Sequence, residues 1–332
     1  MTSAPGPRIL TNIARFALHR LGGLRPLIWS SRNRFRILTY HRFSPAVFPK
    51  GPEILERQCA FLRRRFHPVP LAEIARSLET GAPLPPKALA VTVDDGYRDF
   101  FLDGFPIFRR WQIPVTVYLV TDFLDGKLWP WWNQVDYAAR HGRAARVSLS
   151  LFADRAGQEL PLGTGDERER AAVVIGGQLV KAPHRVRLAF LEALPALFDV
   201  EIPPQPPPEH AALTWDEVRQ LAAAGVEFGS HTRTHPILPN MEDRSLAEEE
   251  IAGSKARIEQ ELERPVIHFC YPNGDYDDAT VAAVARCGFQ TAVTIRRGCN
   301  APREDRYLLK RLSVDPGGSD EYFRESVAGL HN

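Results

Sequence analysis

The sequence has few cysteines, and none of them are placed to stabilise a small domain. Its 332 residues include only Cys59, Cys270, Cys287 and Cys299, which form no Cys-x-x-Cys pair. This argues against a zinc ribbon or a disulfide framework and is typical of reduced thiols in the cytoplasm. An uncharged run of roughly 18 apolar residues, the length of a spanning helix, is also absent. We therefore expect a cytoplasmic protein with no signal peptide or transmembrane segment.

Acidic residues are missing from the first 52 positions. Nine basic residues precede Glu53, leaving 33 Lys and Arg against 40 Asp and Glu in the remainder, although the net charge is only +2. Residues 1–34 are therefore predicted to form a basic arm, with an amphipathic helix between Ile9 and Trp29. Such a helix either lies on the anionic inner face of a membrane as a peripheral contact, or packs on the domain and exposes its arginines to water.

Seven short apolar runs alternate with segments of helical spacing after the arm. The runs cover residues 36–40, 88–93, 115–120, 226–228, 266–271, 291–295 and 309–314. This alternation predicts an α/β fold with a mainly parallel sheet, and runs that are apolar on both faces favour a closed barrel. Residues 35–332 are expected to form this domain, with a partly helical insertion at about 141–210 that ends in a proline-rich linker. No nucleic-acid motif is visible, so no nucleic-acid partner is expected.

Two adjacent carboxylates, Asp94 and Asp95, end one apolar run and are followed by Gly96. Carboxylates at the carboxyl end of a barrel strand point toward the mouth where active sites form. An ordinary Asp-Gly hairpin turn is the alternative. The helical spacing of Phe100 and Phe105 beyond the glycine argues against a hairpin.

A pair of histidines, His231 and His235, follows another predicted strand. If Ser230 caps a single helical turn, both imidazoles lie on one side of it. Two histidines and one carboxylate complete a metal site with open positions for water and substrate, as hydrolytic metals require. Taken alone, the pair is weak evidence for a metal, because surface histidines on a turn would need no explanation.

A third segment, Tyr271-Pro272-Asn273-Gly274, also lies where a strand meets a loop. Such a turn can direct backbone N–H groups toward a developing oxyanion, although the same sequence is common in plain turns. The order and placement of the three segments resemble those of the polysaccharide deacetylase family, also called the NodB-homology domain or carbohydrate esterase family 4. The resemblance covers most of residues 36–314 outside the insertion. It implies a distorted seven-stranded (β/α) barrel that hydrolyses an acetamide on a glycan.

The resemblance also implies roles for individual residues. Asp94 matches the base that activates water, whereas Asp95, His231 and His235 match the metal ligands. The backbone N–H of Asn273 would help to hold the oxyanion, and Tyr271 and Pro272 would contact substrate. Zinc is the default metal, and cobalt, nickel and iron also suit two histidines and one carboxylate.

Two positions depart from the family pattern. Cys270 replaces the arginine that usually steadies the base, and Arg311, at the end of the last predicted strand, is the expected substitute. The family's histidine near the chain end, which supplies a proton, has no counterpart except His331 in the terminal tail. His41, at the end of the first strand, is the expected proton donor, unless it is a structural histidine.

Three tryptophans, Trp129, Trp131 and Trp132, are expected to form a wall for sugar stacking, although tryptophans more often serve packing. The predicted function is a metal-dependent hydrolase that removes N-acetyl groups from a glycan or lipid-linked saccharide. Two alternatives remain open at this stage. One is an O-acetyl esterase with the same site, and the other is a catalytically silent glycan-binding or scaffold protein.

Overall fold

The computed structural model describes residues 23–330. Each of the seven predicted strands is present, within a few residues of its expected bounds. The strands are β1 Arg36–Tyr40, β2 His67–Pro68, β3 Ala88–Val93, β4 Val115–Leu119, β5 Arg146–Ser148, β6 Glu159–Pro161, β7 Glu227–Ser230, β8 His268–Cys270, β9 Thr291–Arg297 and β10 Leu309–Ser313.

Seven of these strands close into a parallel barrel. They lie in the order β1-β10-β9-β8-β7-β4-β3, and β3 pairs again with β1. Leu38 therefore has a partner on each side, Leu312 in β10 and Val91 in β3. The register between β9 and β10 shifts between Leu309 and Arg311, which distorts the barrel locally. The predicted distorted seven-stranded (β/α) barrel is confirmed, with β2 as a short addition beside the start of β3.

The strands have apolar side chains on both faces because both faces of the sheet are covered. Every residue of β1, β3 and β4 is buried, since side chains fill the barrel interior on one side and pack under helices on the other. The helices are α1 Leu24–Ser30, α2 Gly51–Arg65, α3 Leu71–Thr80, α4 Phe105–Arg110, α5 Thr121–Leu124, α6 Trp131–His141, α7 Gly165–Lys181, α8 His184–Phe198, α9 Trp215–Ala223, α10 Arg244–Leu262, α11 Asp278–Arg286 and α12 Asp320–Ala328. Their predicted apolar faces, such as Leu55 with Leu62 and Ile251 with Ile258, are buried against the barrel.

The insertion has a hydrophobic cluster of its own. Helices α6, α7 and α8 pack around residues that include Ile175, Phe190 and Phe198, and the antiparallel β5–β6 pair closes one side. This unit starts with α6, at Trp131, and its partly buried members extend to Ile202. After the proline-rich segment, the N–H of Leu213 donates to the carbonyl of Gly96 at 2.9 Å. The chain therefore returns to the barrel beside the loop that contains the two aspartates.

The predicted N-terminal helix is only partly covered by the structure. Residues 1–22, and with them most of the basic arm, lie outside the described residues, as does His331. The arm's last turns form α1, whose Leu24 and Ile28 are buried. No helix between residues 23 and 330 has both the length and the apolar character that crossing a bilayer requires.

Candidate active site

The loop after β3 places Asp94 and Asp95 at the carboxyl end of the barrel. Asp95 and Gly96 both adopt left-handed backbone conformations, with φ of 75° and 83°, and these reverse the chain within two residues. A Cβ at position 96 would lie only 3.0 Å from the side chain of Leu119, so limited space adds to the positive φ in favouring glycine here. A π-helical turn, Phe100–Gly104, and then α4 follow this loop, so the hairpin alternative is wrong.

The loop after β7 brings His231 and His235 together without a helical turn. Thr232 and His235 have φ of 68° and 58°, so the segment is a tight irregular loop and not the capped turn expected from the sequence. The N–H of His235 donates to Thr232 Oγ1 at 3.0 Å. The two imidazole centroids still lie only 4.6 Å apart.

A residue that the sequence did not reveal, Glu250 in α10, fixes this loop. Its carboxylate accepts hydrogen bonds from the N–H groups of Arg233 and Thr234, at 2.9 and 2.8 Å, and from the Thr234 hydroxyl at 2.7 Å. The backbone N–H groups of these two loop residues are therefore satisfied by a partly buried carboxylate from another element. The sequence gives no signal for this role, because Glu250 is one of three consecutive glutamates in a helix.

Asp95, His231 and His235 form a group suited to a divalent metal ion. One ligand atom from each lies within 4.8 Å of the others. Asp95 Oδ1 is 3.6 Å from His231 Nε2 and 3.8 Å from His235 Nε2, too far for hydrogen bonds. His231 Nδ1 lies 2.8 Å from the carbonyl of Cys270, which requires the proton on Nδ1 and leaves Nε2 free as a ligand.

The pKa directions agree with this donor set. Burial lowers the pKa of both imidazoles, so they are neutral, as ligands must be. Burial raises the pKa of Asp95, to which no Lys or Arg of the described residues is bound directly. A cation between the three groups would supply the missing charge. Asp94, His231 and Cys270 form a second cluster, but Cys270 suits a metal less well because burial raises its pKa and keeps it a neutral thiol.

Asp94 is held by a buried arginine from the opposite end of the sequence. Arg311 donates from Nη1 and Nη2 to the two oxygens of Asp94, at 2.7 and 2.8 Å. Burial alone would raise the pKa of Asp94, but the charge of Arg311 outweighs it and holds that pKa well below its usual range. Asp94 is therefore an oriented carboxylate that stays ionised at neutral pH.

Further contacts fix the guanidinium of Arg311. Its Nε donates to the carbonyl of Thr294 at 2.9 Å, and Nη1 also donates to the hydroxyl of Thr39 at 3.0 Å. The side chain of Cys270 lies 3.2 Å from Nη2. The small thiol thus occupies the position at which the family usually has an arginine, and leaves room for a guanidinium from β10.

His41 lines the same cleft as Asp95, His231 and His235. Its Nε2 is 3.7 Å from Asp94 Oδ2, and its side chain is 45% exposed. It follows β1, whose carboxyl end contributes to the same mouth. The structure thus places His41 where it can approach both the base and solvent.

The turn after β8 also borders the cleft. Asn273 has φ of 55°, and its side chain donates to Asp275 at 2.7 Å. Among the described residues, its backbone N–H has no hydrogen-bond acceptor within the chain. A Cβ at Gly274 would lie 2.4 Å from Ile295, so only glycine permits this close approach. Pro272 starts the turn and is buried, so it shapes the loop and does not line the cleft.

The tryptophans divide into two groups. Trp131 and Trp132 start α6 and line the cleft, and the ring of Trp132 lies 4.5 Å from that of His235. Trp132 Nε1 also donates to the hydroxyl of Tyr97 at 2.9 Å. Trp129 packs in a separate cluster with Tyr97 and Phe123, so its predicted place in the sugar wall is wrong.

One cleft therefore gathers nearly all the residues singled out in the sequence. Its lining consists of His41, Asp94, Asp95, Trp131, Trp132, Val180, His231, His235, Tyr271, Asn273, Gly274, Ile295 and Arg311. Val180, from α7 of the insertion, and Ile295, from β9, were not anticipated. Sequence motifs identify polar catalytic groups, and an aliphatic residue that lines a cleft belongs to no such motif.

Comparisons with known proteins point to one family. The model of the polysaccharide deacetylase family matches residues 174–292. YxkH of Bacillus subtilis, named as a polysaccharide deacetylase, is 29% identical over 118 residues, which are 36% of this chain and 42% of YxkH. The poly-beta-1,6-N-acetyl-D-glucosamine N-deacetylase of Escherichia coli K12 is 39% identical over 72 residues, which are 21% of this chain and 11% of that protein. The matched segments thus span less than half of either relative.

The fold comparison covers more of the chain. The Streptococcus pyogenes deacetylase PplD, solved in complex with acetate, superposes with a TM-score of 0.58 over 89% of this chain and 98% of that one, at 17% sequence identity. At 17% sequence identity, this similarity shows a shared fold and nothing about activity. With the family match and the closed barrel, the resemblance to the polysaccharide deacetylase family is confirmed.

Proposed function

We propose that this protein is a metal-dependent hydrolase that removes N-acetyl groups from a glycan or a lipid-linked saccharide and releases acetate. The observation that carries the proposal is the arrangement around Asp94, an oriented, ionised carboxylate next to a three-ligand metal site in one cleft. The named activity of the Escherichia coli relative supports an amide as the bond that is broken.

Asp95, His231 and His235 would hold the metal, and zinc is the default ion, with cobalt, nickel and iron as further candidates. A bound divalent ion makes a coordinated water more acidic and polarises the acyl oxygen of the substrate. Asp94 is ionised at neutral pH and is therefore in the form that can accept a proton from such a water.

The remaining steps are assigned to this chain's own side chains. Asp94 accepts the proton of the attacking water while Arg311 keeps its carboxylate in place. The backbone N–H of Asn273 donates to the oxyanion that forms on the acyl carbon. His41 then donates a proton to the departing amine, so acetate and a free amino sugar leave the site.

The walls of the cleft suit a saccharide. Trp131 and Trp132 offer aromatic surface on one side, and Val180 and Ile295 offer aliphatic surface. Sugar rings stack on such surfaces through their C–H faces, with the polar edge left for hydrogen bonds. Tyr271 lines the cleft and its buried hydroxyl has no partner among the described residues, which supports its assignment as a substrate contact.

The test is acetate release from a panel of N-acetylated and O-acetylated oligosaccharides, together with the metal content of the purified protein. Asp94→Asn should retain metal and lose turnover, whereas His231→Ala should lose both. Asp278→Asn, an exposed aspartate in the first turn of α11, is the matched control and should behave as wild type.

The products separate the alternatives. Acetate with a new amine supports the proposal, whereas acetate with a new hydroxyl alone identifies an O-acetyl esterase. Stoichiometric metal without turnover on any substrate identifies a silent glycan-binding protein. Asp94→Asn turnover equal to wild type would refute the assigned base.

A further inference from the structure

A cluster of cations lies at the amino end of the barrel, opposite the cleft. We call it the basic face, and it consists of Arg25, Arg32, Arg34, Arg63, Arg64, Arg65 and Lys87. These residues come from α1, the segment before β1, the end of α2 and the residue before β3. Four segments that are separate in sequence thus present positive charge in one region.

The basic face has an acidic neighbour in Glu304, whose pKa is lowered against the effect of burial by the Ala301 N–H, by Lys310 and by the charge of Arg34. The ion pairs formed among the described residues include none of its seven cations. Burial and the nearby charges of Arg25 and Arg64 lower the pKa of Arg65, which shows that like charges face one another here. The undescribed residues 1–22 contain no Asp or Glu that might neutralise them.

An exposed tryptophan lies within the basic face. Trp29 is 61% exposed, and the guanidinium of Arg32 lies 3.9 Å from the centre of its ring. A groove between α1 and the end of α2 is lined by Pro26, Ile28 and Trp29 together with Arg25, Arg64, Arg65 and Lys87. Apolar and cationic groups thus share one concave surface.

We propose that the basic face docks on the surface of an anionic phospholipid bilayer. Lipid phosphates would lie among the four cations of the groove, and Trp29 would enter the headgroup region, where indole rings are favoured. Charge alone would suit a nucleic acid equally well. The large exposed indole beside the cations favours a lipid surface, because both buried apolar area and positive charge strengthen binding to an anionic bilayer.

The position of the basic face fixes the orientation of the docked molecule. Its residues precede β1, β2 and β3, whereas His41, Asp94 and His231 follow β1, β3 and β7. A barrel strand of five or six residues is roughly 17–20 Å long. The cleft therefore opens away from the bilayer, and the enzyme would act on glycan that extends from the membrane, not on sugars at the lipid headgroups.

The experiment is co-flotation of the full chain with phosphatidylglycerol-containing vesicles and with pure phosphatidylcholine vesicles. We expect binding only to the anionic vesicles, with affinity that falls as salt is raised. Each cation near an anionic surface contributes about 1 kcal/mol, roughly fivefold in affinity, so Arg64→Gln with Arg65→Gln should weaken binding by at least tenfold. Trp29→Ala should weaken the binding that remains at high salt.

Arg146→Gln with Arg170→Gln in the insertion removes the same charge far from the basic face and should bind as wild type does. Equal binding of the Arg64/Arg65 variant and wild type would overturn the proposal and assign any binding to residues 1–22. Binding to soluble nucleic acid without binding to vesicles would also overturn it. Acetate release in solution should be unchanged in all of these variants, so the docking result is independent of the proposed activity.

Discussion

At the scale of single residues, Cys270 and Arg311 act as a coupled pair of positions. The thiol leaves space beside Asp94, and the guanidinium from β10 fills it. The carboxylate of Asp94 thereby keeps a cationic partner although the position that usually provides it holds a cysteine. The positioning of this carboxylate depends on the charge and geometry of its partner, and not on where in the sequence the partner lies.

Removal of Arg311 should leave a buried charge without a partner. Arg311→Met is expected to destabilise the fold by about 3–5 kcal/mol, because Asp94 loses its bidentate partner in a fully buried site. Adding Asp94→Asn should recover much of that loss, since the remaining group is then neutral. Urea unfolding of wild type, both single variants and the double variant measures this, and additive effects would show that the two residues are not coupled.

The contribution of His41 to the rate is expected to be larger for a substrate whose leaving group needs a proton in order to depart. If it protonates the departing amine, His41→Ala should lower turnover of an N-acetyl sugar by about 10²–10⁴-fold. The same variant should hydrolyse an aryl acetate at nearly the wild-type rate, because a phenolate leaves without a proton. Steady-state rates on both substrates test this, with Asp94→Asn, which should lose both, as the control. Equal losses on both substrates would exclude the role of proton donor.

At the scale of elements, the loop that contains His231 and His235 depends on a helix that does not line the cleft. Glu250 of α10 accepts three hydrogen bonds from residues 233 and 234, which lie between the two histidines. The loop has two residues with positive φ and would relax without these bonds. The position of His235 therefore depends on packing between β7 and α10.

Glu250→Gln should weaken metal binding without changing any ligand. Loss of partners that orient a metal ligand typically costs 10–100-fold in affinity, and we expect a loss in that range. Competition with a chelator measures it. Glu248→Gln, on the same helix and paired with Arg286 of α11 and not with the histidine loop, is the matched control and should be unaffected. A Glu250→Gln affinity equal to that of the control would contradict this role.

Strand β8 contains a buried histidine that makes stability depend on pH. His268 lies 2.7 Å from the hydroxyl of Thr291, and burial lowers its pKa to about 3. Below its ordinary pKa of 6.5, the unfolded chain takes up a proton that the folded chain does not, so stability falls as pH drops from about 6.5 to 3.

His268→Gln should remove this part of the pH dependence. Between pH 7 and pH 5 the histidine costs wild type about 2 kcal/mol, which the variant should not lose. Urea unfolding at both pH values gives the difference, and exposed His67→Gln is the control. The same change in the free energy of unfolding for wild type and His268→Gln would show that His268 titrates normally in the fold.

At the scale of the whole molecule, two hydrophobic cores meet at one cleft. The barrel supplies the chemical groups, whereas the insertion supplies Trp131, Trp132 and Val180 for one wall. Asn240 links the two units, since its side-chain amide donates to the carbonyls of Val180 and Ala182. The wall is therefore built on a unit whose stability depends on its own core.

Phe190→Ala should loosen the insertion and leave the barrel intact. Truncation of a fully buried phenylalanine costs about 3–5 kcal/mol, here within the cluster of the insertion. Hydrogen exchange should show lost protection in α7 and α8 but not in β3 or β7, and KM for oligosaccharides should rise. Phe190→Leu, which keeps most of the volume, is the control. Equal loss of protection in the barrel would show that both cores unfold as one unit.

The sequence by itself determined the strands and the positions of the chemical motifs. Apolar runs such as residues 88–93 and 115–119 are local patterns, and a short run that is apolar on both faces favours a strand in a covered parallel sheet. Because parallel strands end at the same edge, Asp94, Asp95, His231 and His41 had to meet once the barrel was recognised. The confirmed fold and the shared cleft therefore follow from local chemistry.

Only the tertiary structure decided how these groups are held. Arg311 reaches Asp94 across 217 positions of sequence, and Glu250 fixes the histidine loop from another helix. Trp129 is buried in a hydrophobic cluster whereas Trp131 and Trp132 line the cleft, although all three belong to one short segment of the sequence. These outcomes depend on distances between elements far apart in the chain, and a local pattern of residues contains no information about such distances.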